Sequence, residues 1–183
     1  MKNRMSNLTR LAAVSAMAAA VTACSGQVPS DGYKDLHYGM SLDDLRSKGF
    51  SCEPDDYACR PDRAADPKYT LFGKEASAMV VTADGKLASV NVGVDLSSDE
   101  LIALYTKEFG DPKTFTYRTL GGQSERHYWH SGDRAAVSVT RSVTRGDSAV
   151  FGVTRSYVDY LGPEATKELL EEASTNSVRG RDF

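Results

Sequence analysis

The chain has 183 residues, 26% of them charged and 40% hydrophobic, with a formal net charge of −3. That length allows one ordinary domain or two small ones. Three basic residues fall within the first ten positions, so the remainder carries 19 Lys and Arg against 25 Asp and Glu, a net −6; so acidic a chain argues against nucleic acid as the main partner and against charge-driven docking on anionic headgroups.

At the N-terminus, Lys2, Arg4 and Arg10 precede an apolar run from Leu11 to Ala23, broken only by Ser15 and Thr22. As a helix this run reaches about 20 Å at ~1.5 Å per residue, short of a ~30 Å hydrocarbon core. The pattern fits a secretory leader over residues 1–23 rather than a membrane span. Val21-Thr22-Ala23-Cys24 ends the run and resembles the bacterial lipobox. The resemblance implies cleavage before Cys24 and lipidation of its sulfur with palmitate-like chains. The alternative is ordinary leader cleavage with Cys24 a spare thiol. Ser25, where Asp is the usual inner-membrane retention signal, points to the outer membrane with the protein facing the periplasm.

Three cysteines are an odd count for an exported chain. With Cys24 lipidated, Cys52 and Cys59 remain as a pair in an oxidising compartment. Their spacing is neither a CxxC redox motif nor a zinc motif, so a structural disulfide is expected rather than two free thiols. Closing so short a loop contributes roughly 2–3 kcal/mol by chain entropy.

Residues 24–33 read as a flexible tether, in which the small, polar stretch from Ser25 to Gly32 spans about 25–30 Å when fully extended at ~3.3–3.6 Å per residue. Ser41-Leu42-Asp43-Asp44-Leu45 then starts a short helix, with Ser41 as cap and Asp44 three residues on; Gly49 stops it. Strands are expected at Tyr69–Phe72, Ser77–Ala83 and Leu87–Val94, with Asp84-Gly85 as a hairpin turn. Asp62 to Pro67 reads as loop. Ser97 and Glu100 repeat the cap spacing, and Leu101, Leu104, Tyr105 and Phe109 keep helical period until Gly110 and Pro112. Four more strands follow, at Thr114–Leu120, Glu125–His130, Ala135–Thr144 and Ala149–Val158, joined by Gly-containing turns. Pro163 opens a last helix over 162–173, with Leu169 and Leu170 as its apolar contacts, and 174–183 is expected to be disordered.

In the last hairpin, Ala135, Val137 and Val139 alternate with small polar residues, as do Phe151, Val153 and Tyr157. A three-residue turn at Arg145-Gly146-Asp147 would oppose Val139 to Val153 and Ala135 to Tyr157, giving one apolar face. Arg141 and Arg155 interrupt that row and are expected at the sheet margin. The Arg-Gly-Asp tripeptide also matches the integrin-recognition motif, although Gly-Asp is ordinary turn chemistry.

Catalytic motifs are missing: no G-x-S-x-G elbow, P-loop, G-x-G-x-x-G or H-E-x-x-H occurs in the sequence. His127 and His130 are three apart in a predicted strand, so they point to opposite faces and do not suit one metal ion. No enzymatic activity, cofactor or metal is expected. Binding is better supported. Tyr117, Arg118, Arg126, Tyr128, Trp129 and His130 fall on two adjacent predicted strands, and Tyr, Trp and Arg are enriched at interface centres. Strand alternation should nevertheless turn half of them into the core.

The order of elements is a capped helix followed by an antiparallel meander, twice, with the caps at Ser41 and Ser97. Together with Gly39-Met40-Ser41-Leu42-Asp43-Asp44-Leu45, Ser97–Leu101 and Gly110-Asp111-Pro112, it resembles two families. These are the beta-lactamase inhibitory proteins and the SmpA/OmlA (BamE) small outer-membrane lipoproteins. The resemblance implies an α+β fold over 34–161, built of two tandem helix-plus-antiparallel-sheet units (about 34–95 and 96–161). Helices pack on one face of the sheet, and a C-terminal helix follows. The functional expectation is a non-enzymatic envelope lipoprotein that is held to the membrane through lipid on Cys24. It binds a protein partner, in envelope assembly or maintenance. The alternative is an inhibitor of a periplasmic or secreted hydrolase.

Overall fold

Both predicted helix starts form because a serine and an acidic residue three positions apart satisfy each other's backbone. In helix α1 (Leu42–Ser47), the Ser41 hydroxyl accepts from the Asp44 N–H while the Asp44 carboxylate accepts from the Ser41 N–H. Ser97 and Glu100 do the same for α2 (Ser98–Phe109), which ends at Gly110. The computed structural model describes residues 26–53, 57–62, 68–119, 122–142 and 156–179. The leader, Cys24, the Arg145-Gly146-Asp147 turn and Arg155 lie outside the described residues.

The fold is mixed α+β, dominated by one large antiparallel sheet. Its strands are β3 (Phe50–Ser51), β4 (Ala58–Pro61), β5 (Tyr69–Leu71), β6 (Lys74–Ala83), β7 (Lys86–Val94), β8 (Lys113–Thr119), β9 (Gly122–His130), β10 (Ala136–Ser142) and β11 (Ser156–Leu161). Their spatial order is β3-β4-β6-β7-β11-β10-β9-β8, with β5 beside β6. A small ribbon, β1 (Gly32–Tyr33) with β2 (Leu36–His37), precedes them. Asp84 and Gly85 both take positive φ (50° and 70°), as the two-residue turn between β6 and β7 requires. Cys52 and Cys59 form a disulfide, with Sγ atoms 2.09 Å apart.

Strand alternation gives the sheet two unlike faces. On the first, Val80, Val90, Tyr160, Val137 and Trp129 form one cross-strand row, and Ala78, Val92, Val158 and Val139 lie in the next. All nine are buried, in one core with Leu45 of α1 and Leu101 and Tyr105 of α2. At the end of this face, Arg141 pairs with both Asp99 and Glu125, so its charge is met at the sheet margin.

Helix α3 (Pro163–Arg179) departs from expectation twice. It packs on the second face, where Leu169 and Ala173 join Phe115, Tyr128 and Ala136. Helices therefore cover both faces, not one. It also continues past residue 173 to Arg179: Ala173 is buried, and Ser174, Thr175 and Asn176 bond back to the Glu171 and Glu172 carbonyls.

The β10–β11 register also differs from expectation. Val139 opposes Val158, not Val153, and Val137 opposes Tyr160, so the parity of β11 is reversed. Ser156, Val158 and Tyr160 face the core. Tyr157, expected inside, is 52% exposed on the second face. Residues expected to tether the domain are laid against it: Val28 is buried and the Gly26 N–H donates to the Glu108 carbonyl.

Candidate binding surface

The six residues singled out on β8 and β9 do not form one open patch. Trp129 is 4% exposed; its Nε1–H donates to the Gly110 carbonyl at 2.7 Å, and its ring sits 5.5 Å from Tyr105 and 6.5 Å from Phe109. It locks the end of α2 to the sheet. Tyr128, the neighbouring residue on the opposite face, is buried beneath α3 with its ring 5.9 Å from Phe115, and burial pushes its phenol pKa up. Arg126 lies over the Phe115 and Tyr117 rings, at 5.9 and 5.3 Å, and reaches Glu172 at 3.2 Å. That stacked ion pair clamps α3 to the sheet. Arg118 is exposed and Tyr117 partly so. His130 is half-buried, with Nδ1 2.8 Å from the Gly132 carbonyl.

His127 points to the first face, where its Nε2 lies 3.0 Å from Glu125; His130 points to the second, as their odd separation requires. Burial works to raise the Glu125 pKa, but hydrogen bonds from Arg141 and His127 outweigh it and hold the carboxyl below its ordinary value. This chain of charges ties β9, β10 and the start of α2 together. The acidic pair at Asp43–Asp44 is also structural: Asp44 completes a cap and Asp43 pairs with Arg46 at 2.8 Å. Among the described residues, no three His, Cys, Asp or Glu side chains are grouped to hold a metal ion. No described helix is long and apolar enough to cross a membrane.

The open ground lies elsewhere on the second face. Helix α3 packs over the β8–β9 end and touches β7 and β11, while among the described residues no helix lies over Ser77, Met79, Asn91 and Tyr157. There Arg60, Pro61, Ser77, Met79, Asn91 and Tyr157 line a shallow depression. Its floor is held in place from within: Asp159 accepts from Asn91 Nδ2 at 2.8 Å and from Ser138 Oγ at 3.4 Å. The result is a mostly apolar, preorganised depression with a projecting aromatic ring, a thioether, a guanidinium and the Asn91 amide. The described residues that line it include no histidine, cysteine, lysine or carboxylate.

None of the residues lining this depression was among those singled out from sequence, because the expected register turned Tyr157 inward. A signal was available: Asp159 is two positions on and shares Tyr157's face, and a carboxylate marks the solvated side. Comparisons with protein-family models, with characterised proteins and with solved structures find no match to this chain.

Proposed function

We propose that this chain is an envelope lipoprotein, lipidated on Cys24 and facing the periplasm from the outer membrane, that acts as a non-enzymatic protein-binding module. The observation that carries the binding role is Tyr157, a large aromatic side chain left exposed beside Met79 and Arg60 on a part of the sheet that no described helix covers. Tyr and Arg dominate interface energetics because each supplies contact area and directed hydrogen bonds at once. The leader, the lipobox and a bonded pair made from the other two cysteines support an exported, anchored chain. The repeated cap spacing supports two tandem units like those of the beta-lactamase inhibitory and SmpA/OmlA families, and a role in envelope assembly or maintenance.

The test places a photo-crosslinking amino acid at position 157, with the exposed Tyr57 position as control. One envelope protein captured at 157 and not at 57 is the expected result; capture of a hydrolase whose activity falls on binding would turn the reading to an inhibitor. Equal labelling from both positions would defeat the binding role. The anchor is checked separately: labelled palmitate should enter the wild type and not Cys24→Ser.

A further inference from the structure

We propose that one corner of the fold, made by the end of α2, the start of β8 and the β9–β10 turn, rests against the phospholipid headgroups. This rests on lipidation of Cys24, as proposed above, and adds which way the anchored domain faces.

The argument begins at Gly26. Its N–H donates to the Glu108 carbonyl at 2.5 Å, and a Cβ at this position would come within 3.1 Å of the same oxygen. Val28 follows and is 7% exposed, within the main core. The chain is therefore held at the end of α2 from Gly26 onward. Only two peptide steps separate Gly26 from Cys24, and two residues span at most about 7 Å. A free tether from Cys24 to Tyr33 would let the domain turn any side to the membrane. A link of this length fixes the side, because a lipidated cysteine sits at headgroup level and Gly26 must follow it.

The chemistry of the corner suits that neighbour. Gly26 shares a cleft with Asp111, Lys113, His130 and Ser131. The exposed charges around it are Lys107, Lys113 and Arg134 against Glu108, Asp111 and Asp133, so they balance in a chain whose mature net charge is −6. A balanced rim meets zwitterionic or mildly anionic headgroups without the repulsion that the rest of the surface would feel. None of the exposed large apolar side chains among the described residues, Tyr57, Phe72 and Tyr157, lines this cleft, and the Phe72 ring is held edge-on against Tyr105 of α2 at 4.9 Å. Contact is thus at headgroup depth, without insertion into the acyl region. The corner belongs to the β8–β9 edge of the sheet, so the depression around Tyr157 stays clear of the bilayer.

The experiment uses the full acylated protein in phosphatidylcholine vesicles that carry a nitroxide on a fraction of the headgroups. A fluorophore is attached at Asp111→Cys or, in a second variant, at Arg118→Cys; both positions are exposed. Lys113 and Arg118 are five residues apart on β8, about 17 Å at ~3.3 Å per residue. The expected result is several-fold stronger quenching at 111 than at 118. A long Gly/Ser spacer between Ser25 and Gly26 should remove that contrast. Equal quenching at the two positions, in protein that carries the acyl mass and floats with the vesicles, would overturn the orientation and leave the anchor standing. Protein without the acyl mass that fails to float would overturn both.

Discussion

The Tyr105 and Tyr160 hydroxyls meet at 2.6 Å between α2 and the sheet, inside a ring of buried phenols that includes Tyr33 and Tyr69. Burial pushes all four pKa values up, those of Tyr33 and Tyr69 to about 12 from an ordinary 10.0. The sign of the consequence follows from linkage. Below pH 10 both folded and unfolded chains keep these protons, so they add no pH dependence to stability. Above it the unfolded chain ionises first and binds fewer protons than the folded one, so stability falls as pH rises through 10 toward 12. The urea midpoint should therefore stay level up to about pH 10 and then drop, with a shallower drop in Tyr33→Phe. A midpoint indifferent to pH across that window would contradict this account of the core. At this scale the sequence was legible where a residue's role is local and illegible where it depends on register. Ser41 and Ser97 announced their caps through a carboxylate three positions on. Tyr157 and Trp129 did not announce their sides, because a strand residue's face is known only once its neighbour's alignment is known.

Helix α2 is tied at its start by the Ser97 cap and at its end by the Trp129 bond to Gly110. Ser97→Ala leaves the Glu100 N–H without its acceptor and should cost about 1 kcal/mol in urea unfolding. Helix α3 depends on packing instead. Leu169 is 3% exposed between Phe115 and Tyr128, and Arg126 with Glu172 closes the rim. Leu169→Ala should cost about 2–5 kcal/mol and loosen α3, read as lowered stability with new binding of an apolar dye. Unchanged stability would mean that the helix is not part of the fold's core. The apolar positions of α3 were readable from sequence, but not which face of the sheet they cover, since β9 carries a large aromatic on each face, Trp129 on the first and Tyr128 on the second. Strands β3 and β4 were missed for a different reason. Two to four residues cannot display alternation, and these strands exist because β4 pairs with β6, β3 pairs with β4, and the Cys52–Cys59 bond closes the loop between them.

On the scale of the molecule, the decisive element is the seam where β7 meets β11. It joins strands on either side of α2 into one sheet through six paired positions, from Ser156 with Val94 to Leu161 with Ser89. Val90, Val92 and Val94 on β7 and Val158 on β11 are fully buried along it, and the main core runs unbroken from Val28 to Tyr160. Separating the two sides would expose all four valines to water, at roughly 1.5–3 kcal/mol each, and exchange the hydrogen bonds between the strands for bonds to water, at a net cost of about 0.5–1.5 kcal/mol each. Neither side can then unfold and leave the other intact. Calorimetry should accordingly give a single transition whose measured enthalpy equals its van't Hoff enthalpy. Val92→Ala, which opens a cavity at the middle of the seam, should lower stability by about 2 kcal/mol and move that transition as one. Two resolved transitions, in the wild type or in this variant, would mean that the seam holds two independent domains together rather than making one.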